Sequence, residues 1–136
     1  MKDYLHQVQY YETDGMRIAH HSNYIRWMEE ARIDFFQQIG WAYDRLEDTG
    51  VFCPIVSVEA RYLGMTKFSD WVKIQVRCTK LSSVRITLDY EMRTVTDELV
   101  FRGRTENTFL RQDRTFIRLK SDLPELYQAL EAILVD

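Results

Sequence analysis

The residues best equipped for chemistry stand close together near the start of the chain. Tyr10-Tyr11-Glu12-Thr13-Asp14 is followed, after a short polar stretch, by His20-His21-Ser22-Asn23-Tyr24. An aromatic, strand-like run thus delivers a carboxylate, and Ser22 or Asn23 is the type of residue that caps a helix. The first N–H groups of a helix lack intrahelical acceptors and sit at its positive end. A carboxylate beside such donors can direct water onto a carbonyl carbon, or attack it, while the N–H groups hold the oxyanion. This chemistry needs no metal, no serine and no cysteine.

Other routes find less support. Ser22 has no Gly-x-Ser-x-Gly surroundings, and capping accounts for it. Cys53 and Cys78 are too few for a disulfide framework, lie in apolar strand-like runs, and read as buried free thiols. His20, His21 and Asp14 make a poor metal set, because adjacent histidines rarely aim both rings at one ion; no metal or cofactor is expected. Plainer roles compete for the same residues: a turn for Asp14, an exposed or capping pair for His20 and His21, core packing for Tyr10. Of Glu29 and Glu30, one reads as a solvated charge and the other as a partner of Arg26 or Arg32 at helical spacing.

The elements that must position these groups follow from periodicity. Residues 5–12 read as a strand and 13–22 as a polar loop. The spacing predicts a helix over 24–39, with Tyr24, Ile25, Met28, Ala31, Phe35, Phe36 and Ile39 on its apolar side and Gly40 as its stop. A short helix or turn is expected within 41–50. Period-two alternation predicts strands over 52–62, 71–81, 84–94 and 99–111, with a possible further strand at 116–119. A closing helix is expected over 121–134, capped by Asp122 and opened by Pro124. One long helix among consecutive antiparallel strands makes an α+β domain spanning 1–136, the sheet wrapped around the helix. The other face of that sheet is expected to carry aromatic and aliphatic residues that favour association through the sheet or its edge.

The bulk composition narrows the classes. The 136 residues suffice for one domain, with 46 % apolar and 29 % charged content. A net charge of −3 argues against nucleic acid and acidic membranes as partners. No apolar run approaches a membrane span and the first six residues hold no apolar signal core, so the expected location is cytoplasmic.

The stretch from Val8 to Asp34 resembles the signature of the hot-dog-fold acyl-CoA thioesterases of the 4-hydroxybenzoyl-CoA thioesterase type. The matching residues are Thr13-Asp14, His21-Ser22-Asn23-Tyr24 and Glu29-Glu30-Ala31-Arg32. The resemblance implies a hot-dog fold and hydrolysis of an acyl-CoA or acyl-carrier-protein thioester by a homo-oligomer, dimer or tetramer, with pockets between subunits. It implies Asp14 as general base or nucleophile, the His21 N–H as oxyanion donor, and Tyr10 in the same pocket. Tyr24, Trp27 and Met28 would line the acyl site. Arg17 stands where the family usually has glycine and would narrow or recharge the pocket. Arg61, Lys67, Arg85, Arg102 and Arg104 are the cations available for coenzyme A phosphates. Two further readings are a hot-dog dehydratase or hydratase, which the seven-residue step from Asp14 to His21 disfavours, and a non-catalytic acyl-thioester-binding module, supported only by Arg17.

Overall fold

A computed structural model describes residues 1–135. In chain order the elements are β1 (Tyr4–Gln7), a 3-10 turn (Tyr10–Glu12), α1 (Ser22–Gln38), α2 (Tyr43–Asp48), β2 (Val51–Phe52), β3 (Ile55–Tyr62), β4 (Trp71–Leu81), β5 (Arg85–Thr94), β6 (Leu99–Thr108), β7 (Leu110–Arg111), α3 (Leu119–Asp122) and α4 (Pro124–Ala132). Five strands form one antiparallel sheet in the order β1-β4-β5-β6-β3, and β2 pairs with β7. The sheet wraps α1, the hot-dog arrangement that the resemblance implied.

The buried face of α1 carries Tyr24, Trp27, Met28, Ala31, Phe35 and Phe36, at the three- and four-residue steps of a helix. It meets alternate residues of the strands, among them Ile74, Leu88, Tyr90, Met92 and Phe101, all essentially without exposure. Gly103 on β6 lets helix and sheet approach. A Cβ there would lie 2.6 Å from Met28 Sδ and 2.7 Å from Phe101 Cε1. At the far end of α1, Gly40 takes φ +86°. Its N–H reaches Gln37 O and the Trp41 N–H reaches Phe36 O, which satisfies the last carbonyls.

Several boundaries differ from the periodicity reading. The strand expected over 5–12 ends at Gln7, and Tyr10–Glu12 is a 3-10 turn, because the Glu12 carboxylate folds back onto the Gln9 N–H at 2.8 Å. The strand expected over 99–111 breaks around the buried Phe109 into β6 and β7. No strand forms at 116–119; Phe116 makes a single bridge to Leu110, and Leu119 opens a helix. The closing helix divides at Leu123. Asp122 does not cap its second half: its carboxylate accepts the Arg118 N–H and an Arg111 N–H, at 2.9 and 3.0 Å.

The uncovered sheet face is charged rather than aromatic or aliphatic. Arg104 grips Asp89 with two hydrogen bonds, and Arg85–Glu106 and Arg77–Glu91 pair beside it. Exposed apolar residues gather instead on the edge strand β3, where Ile55, Val56, Val58 and Tyr62 are each 42–48 % exposed. Among the described residues no helix is long and apolar enough to cross a membrane.

Candidate active site

Asp14 sits in a loop closed at its base. Thr13 bridges Ala19, the Asp14 N–H donates to Ile18 O at 2.9 Å, and the Arg17 N–H donates to Asp14 O at 3.0 Å. Arg17 adopts φ +65° to make the turn. A second segment holds the loop from outside: Ile18 bridges Lys67, the Ala19 N–H reaches Thr66 O, and the Phe68 N–H reaches Arg17 O. The Asp14 side chain is exposed. Its Oδ1 accepts the Met16 N–H at 2.8 Å, as a turn aspartate does, while Oδ2 has no hydrogen-bond donor among the described residues. Arg17 is also exposed and makes no ion pair with Asp14.

The helix start departs from the expected cap. α1 opens at Ser22 with His21 in the capping position, already at helical φ −56° and ψ −30°, and no side chain caps it in the usual way. His20 takes over that task. Its Nδ1 accepts the Ser22 N–H at 3.2 Å and lies 2.8 Å from Ser22 Oγ, which places its ring proton on Nε2. Asn23 faces inward, its Nδ2 donating to Glu12 O at 2.7 Å and more weakly to His20 O at 3.3 Å. The His21 N–H is left without an acceptor among the described residues. Tyr62 of β3 donates its hydroxyl to His21 O at 3.1 Å, so the sheet edge and the helix start are joined here.

The remaining expected site residues divide by exposure. Tyr10 is 68 % exposed and packs edge-on against Phe68, with ring centroids 5.5 Å apart, so it is not a core residue. Tyr24, Trp27 and Met28, expected to line the acyl site, are instead 3 %, 0 % and 1 % exposed. Tyr24 bonds Thr66 Oγ1 at 2.8 Å and stacks on Phe101, and burial holds its hydroxyl above the ordinary pKa. These three form the wall behind the loop rather than its surface. The surface is made by Tyr10, Met16, Tyr62, Leu63, Met65 and Phe68, all more than a third exposed. Exposed apolar side chains gathered together are the kind of surface that binding sites use.

A charged cluster beneath the loop was not evident from sequence. Glu12, only 4 % exposed, accepts His6 Nε2 at 2.8 Å, the Trp27 indole N–H at 2.7 Å and the Gln9 N–H at 2.8 Å. Burial pushes its carboxyl upward, but those three donors outweigh it and hold its pKa below the ordinary 4.5. Glu30 does not pair with Arg26 or Arg32; its Oε1 lies 3.0 Å from His6 Nδ1 and accepts the Tyr4 hydroxyl at 2.8 Å. Arg32 is buried and donates to the hydroxyls of Tyr43 and Tyr90, both at 3.2 Å. The only signal for the cluster was a glutamate in the run leading to Asp14.

The other candidates settle simply. Burial pushes the Cys53 thiol up to about 12 and that of Cys78 to about 11, which makes both poor nucleophiles. Of the cations considered for phosphate, Arg85 and Arg104 are committed to Glu106 and Asp89, whereas Arg61, Lys67 and Arg102 have no carboxylate within ion-pair distance among the described residues. A cavity of about 490 Å³ lies away from Asp14, on the outer face of the sheet between Arg61, Arg77, Asp89 and Arg102.

Comparison with known proteins bears on this arrangement. A family described as the Thioesterase-like superfamily matches residues 8–131. The fold superimposes on a DHNA-CoA thioesterase from Staphylococcus aureus with a TM-score of 0.92 and 28 % identity, covering 97 % of this chain and 89 % of that one. A hypothetical protein, TT1821, from Thermus thermophilus gives a TM-score of 0.89 at 29 % identity, covering 98 % and 99 %. A Bacillus subtilis (strain 168) protein provisionally named an acyl-CoA thioesterase, YneP, is 23 % identical over 126 residues, 92 % of this chain and 91 % of its own length.

Proposed function

This chain belongs to the thioesterase-like superfamily and is a thioester hydrolase, and on that premise we propose that it cleaves acyl- or aryl-coenzyme A thioesters at a site built on Asp14 and the start of α1. The observation that carries the assignment is an exposed carboxylate with one oxygen free, on a loop tied through Glu12 O to a helix start whose His21 N–H has no acceptor among the described residues. Asp14 Oδ2 either takes a proton from a water that adds to the acyl carbon and passes it to the departing thiolate, or attacks the carbon itself, expelling the thiolate and leaving an anhydride that water then hydrolyses, which restores the carboxylate and supplies the thiolate's proton. The His21 N–H stabilises the oxyanion, a contribution typically of about 3 kcal/mol for one preorganised donor. The rim of Tyr10, Tyr62 and Phe68 supplies flat apolar surface for the acyl or aryl group. Lys67, bridged to the loop at Ile18, offers a cation beside it for a coenzyme A phosphate.

The rim and the edge of β3 are open in one chain, and a second copy pairing along β3 completes the wall of the site. Thiol release from short, medium, long and aromatic acyl-CoAs tests the assignment against Asp14→Asn. Asparagine keeps an oxygen for the Met16 N–H, so the loop should stand and stability should move by less than about 0.5 kcal/mol. Turnover should fall by about 10²- to 10⁴-fold. A variant as fast as the parent would remove Asp14 from the mechanism.

A further inference from the structure

We propose that His6, clamped between the carboxylates of Glu12 and Glu30, is a positioning residue that holds the Asp14 loop and the start of α1 in the arrangement that hydrolysis needs. This rests on the reading of Asp14 and His21 given above, and it adds three residues that touch neither substrate nor reacting atoms.

The ring of His6 is 8 % exposed, with a carboxylate oxygen at each nitrogen: Glu12 Oε1 at 2.8 Å from Nε2 and Glu30 Oε1 at 3.0 Å from Nδ1. An ionised carboxylate only accepts, so a ring that bonds both of them must donate from both nitrogens. The indole of Trp27 lies against it, centroids 4.8 Å apart and planes at 34°, and fixes the plane of the ring. Around the ring stand Glu12 from the 3-10 turn and Trp27 and Glu30 from α1, with the Tyr4 hydroxyl from β1 bonded to Glu30. Burial and the neighbouring Glu30 push the Tyr4 hydroxyl up to about 12, so it remains a donor. Removing the ring would leave the almost fully buried Glu12 carboxylate short of a donor, which is costly where little water reaches.

Glu12 transmits this to the site through its backbone. It stands two residues before Asp14, and its carbonyl accepts both the His20 N–H at 2.9 Å and Asn23 Nδ2 at 2.7 Å. One residue therefore anchors both ends of the segment from Thr13 to His21: its side chain is fixed by β1 and α1, its main chain by the helix start. A strut of ordinary structural value would change unfolding alone; a positioning clamp must change the local opening of these hydrogen bonds and the turnover number together.

The test compares wild type, His6→Gln and Glu30→Ala. At pH 7, NMR of ¹⁵N-labelled wild type should show a proton on both ring nitrogens of His6. In either variant, exchange of the His20 and Asp14 amides should accelerate by about tenfold or more. With the best acyl-CoA, kcat should fall by about tenfold with KM within about twofold. A ring protonated on one nitrogen only, or wild-type exchange at both amides in a folded variant, would overturn the clamp. Glu30 is partly exposed at its side chain, 38 %, so Glu30→Ala should fold even where His6→Gln does not. The two ideas fail separately: an Asp14→Asn protein with full turnover discards the catalytic reading, and the ring and exchange measurements still decide the clamp.

Discussion

The Glu12 carboxylate keeps its charge in a nearly dry place because three donors meet it, and that charge ties stability to acidity. Its folded pKa lies below the ordinary 4.5, so it contributes stability that is fully present above that value and is lost as pH falls through the lower folded one. Wild type should lose resistance to urea as pH falls below the ordinary glutamate value of 4.5. Glu12→Gln should start lower at pH 7, by about 1–3 kcal/mol, and lose less on acidification. Parallel losses in the two proteins would show that Glu12 is not the group responsible. At this scale the sequence was informative about position: it read Asp14 into a polar loop and His21 next to a helix start, and both stand there. It was silent on Glu12 because the partners of that side chain, His6 and Trp27, lie on β1 and α1, and only the fold brings them to it. It also misjudged Tyr24, Trp27 and Met28. Apolar residues at helical spacing read alike whether they face a ligand or the sheet, and here they face the sheet.

The long elements were legible because their periods are strong. β4 runs over 71–81 as the alternation predicts, and α1 ends where Gly40 can take a positive φ. The ends and short pieces were not, since they are set by contacts that no local pattern encodes: the Glu12 carboxylate turns the chain after β1, and beyond β6 the chain leaves the sheet to pair with β2. The crossing of α1 over β6 depends on one absent side chain. In Gly103→Ala the new methyl would meet Met28 Sδ and Phe101 Cε1 at 2.6 and 2.7 Å, and both neighbours are essentially fully buried. Overpacking of this kind costs about 1–3 kcal/mol, measurable by chemical unfolding. Met28→Ala made in the same chain should recover part of that loss, since the two sites share one contact. Simple additivity of the two costs would mean that the helix does not rest on β6 at Gly103.

At the scale of the whole molecule the two edges of the sheet are treated differently. Among the described residues β1 is four residues long, whereas β3 runs for eight, pairs only with β6, and leaves its other side unpaired. An exposed, apolar edge of that length invites another strand. The same strand carries Tyr62, whose hydroxyl holds His21 O, so whatever covers the edge also closes the site from that side. The broad outer face, with its Arg104–Asp89 and Arg85–Glu106 pairs, offers no comparable apolar surface. Self-association should therefore run through β3, and catalysis should depend on it. Val58 is 42 % exposed on the side of β3 that faces the helix, and a lysine there would place charge on the pairing edge while leaving the core intact. Sedimentation velocity at micromolar concentration should show wild type as a dimer or larger and Val58→Lys shifted toward monomer. Turnover should fall with the dimer fraction, and recover as protein concentration rises. A wild type that sediments as a monomer yet hydrolyses acyl-CoA at full rate would mean that one chain builds the whole site, and the open wall beside Tyr62 would then be its entrance.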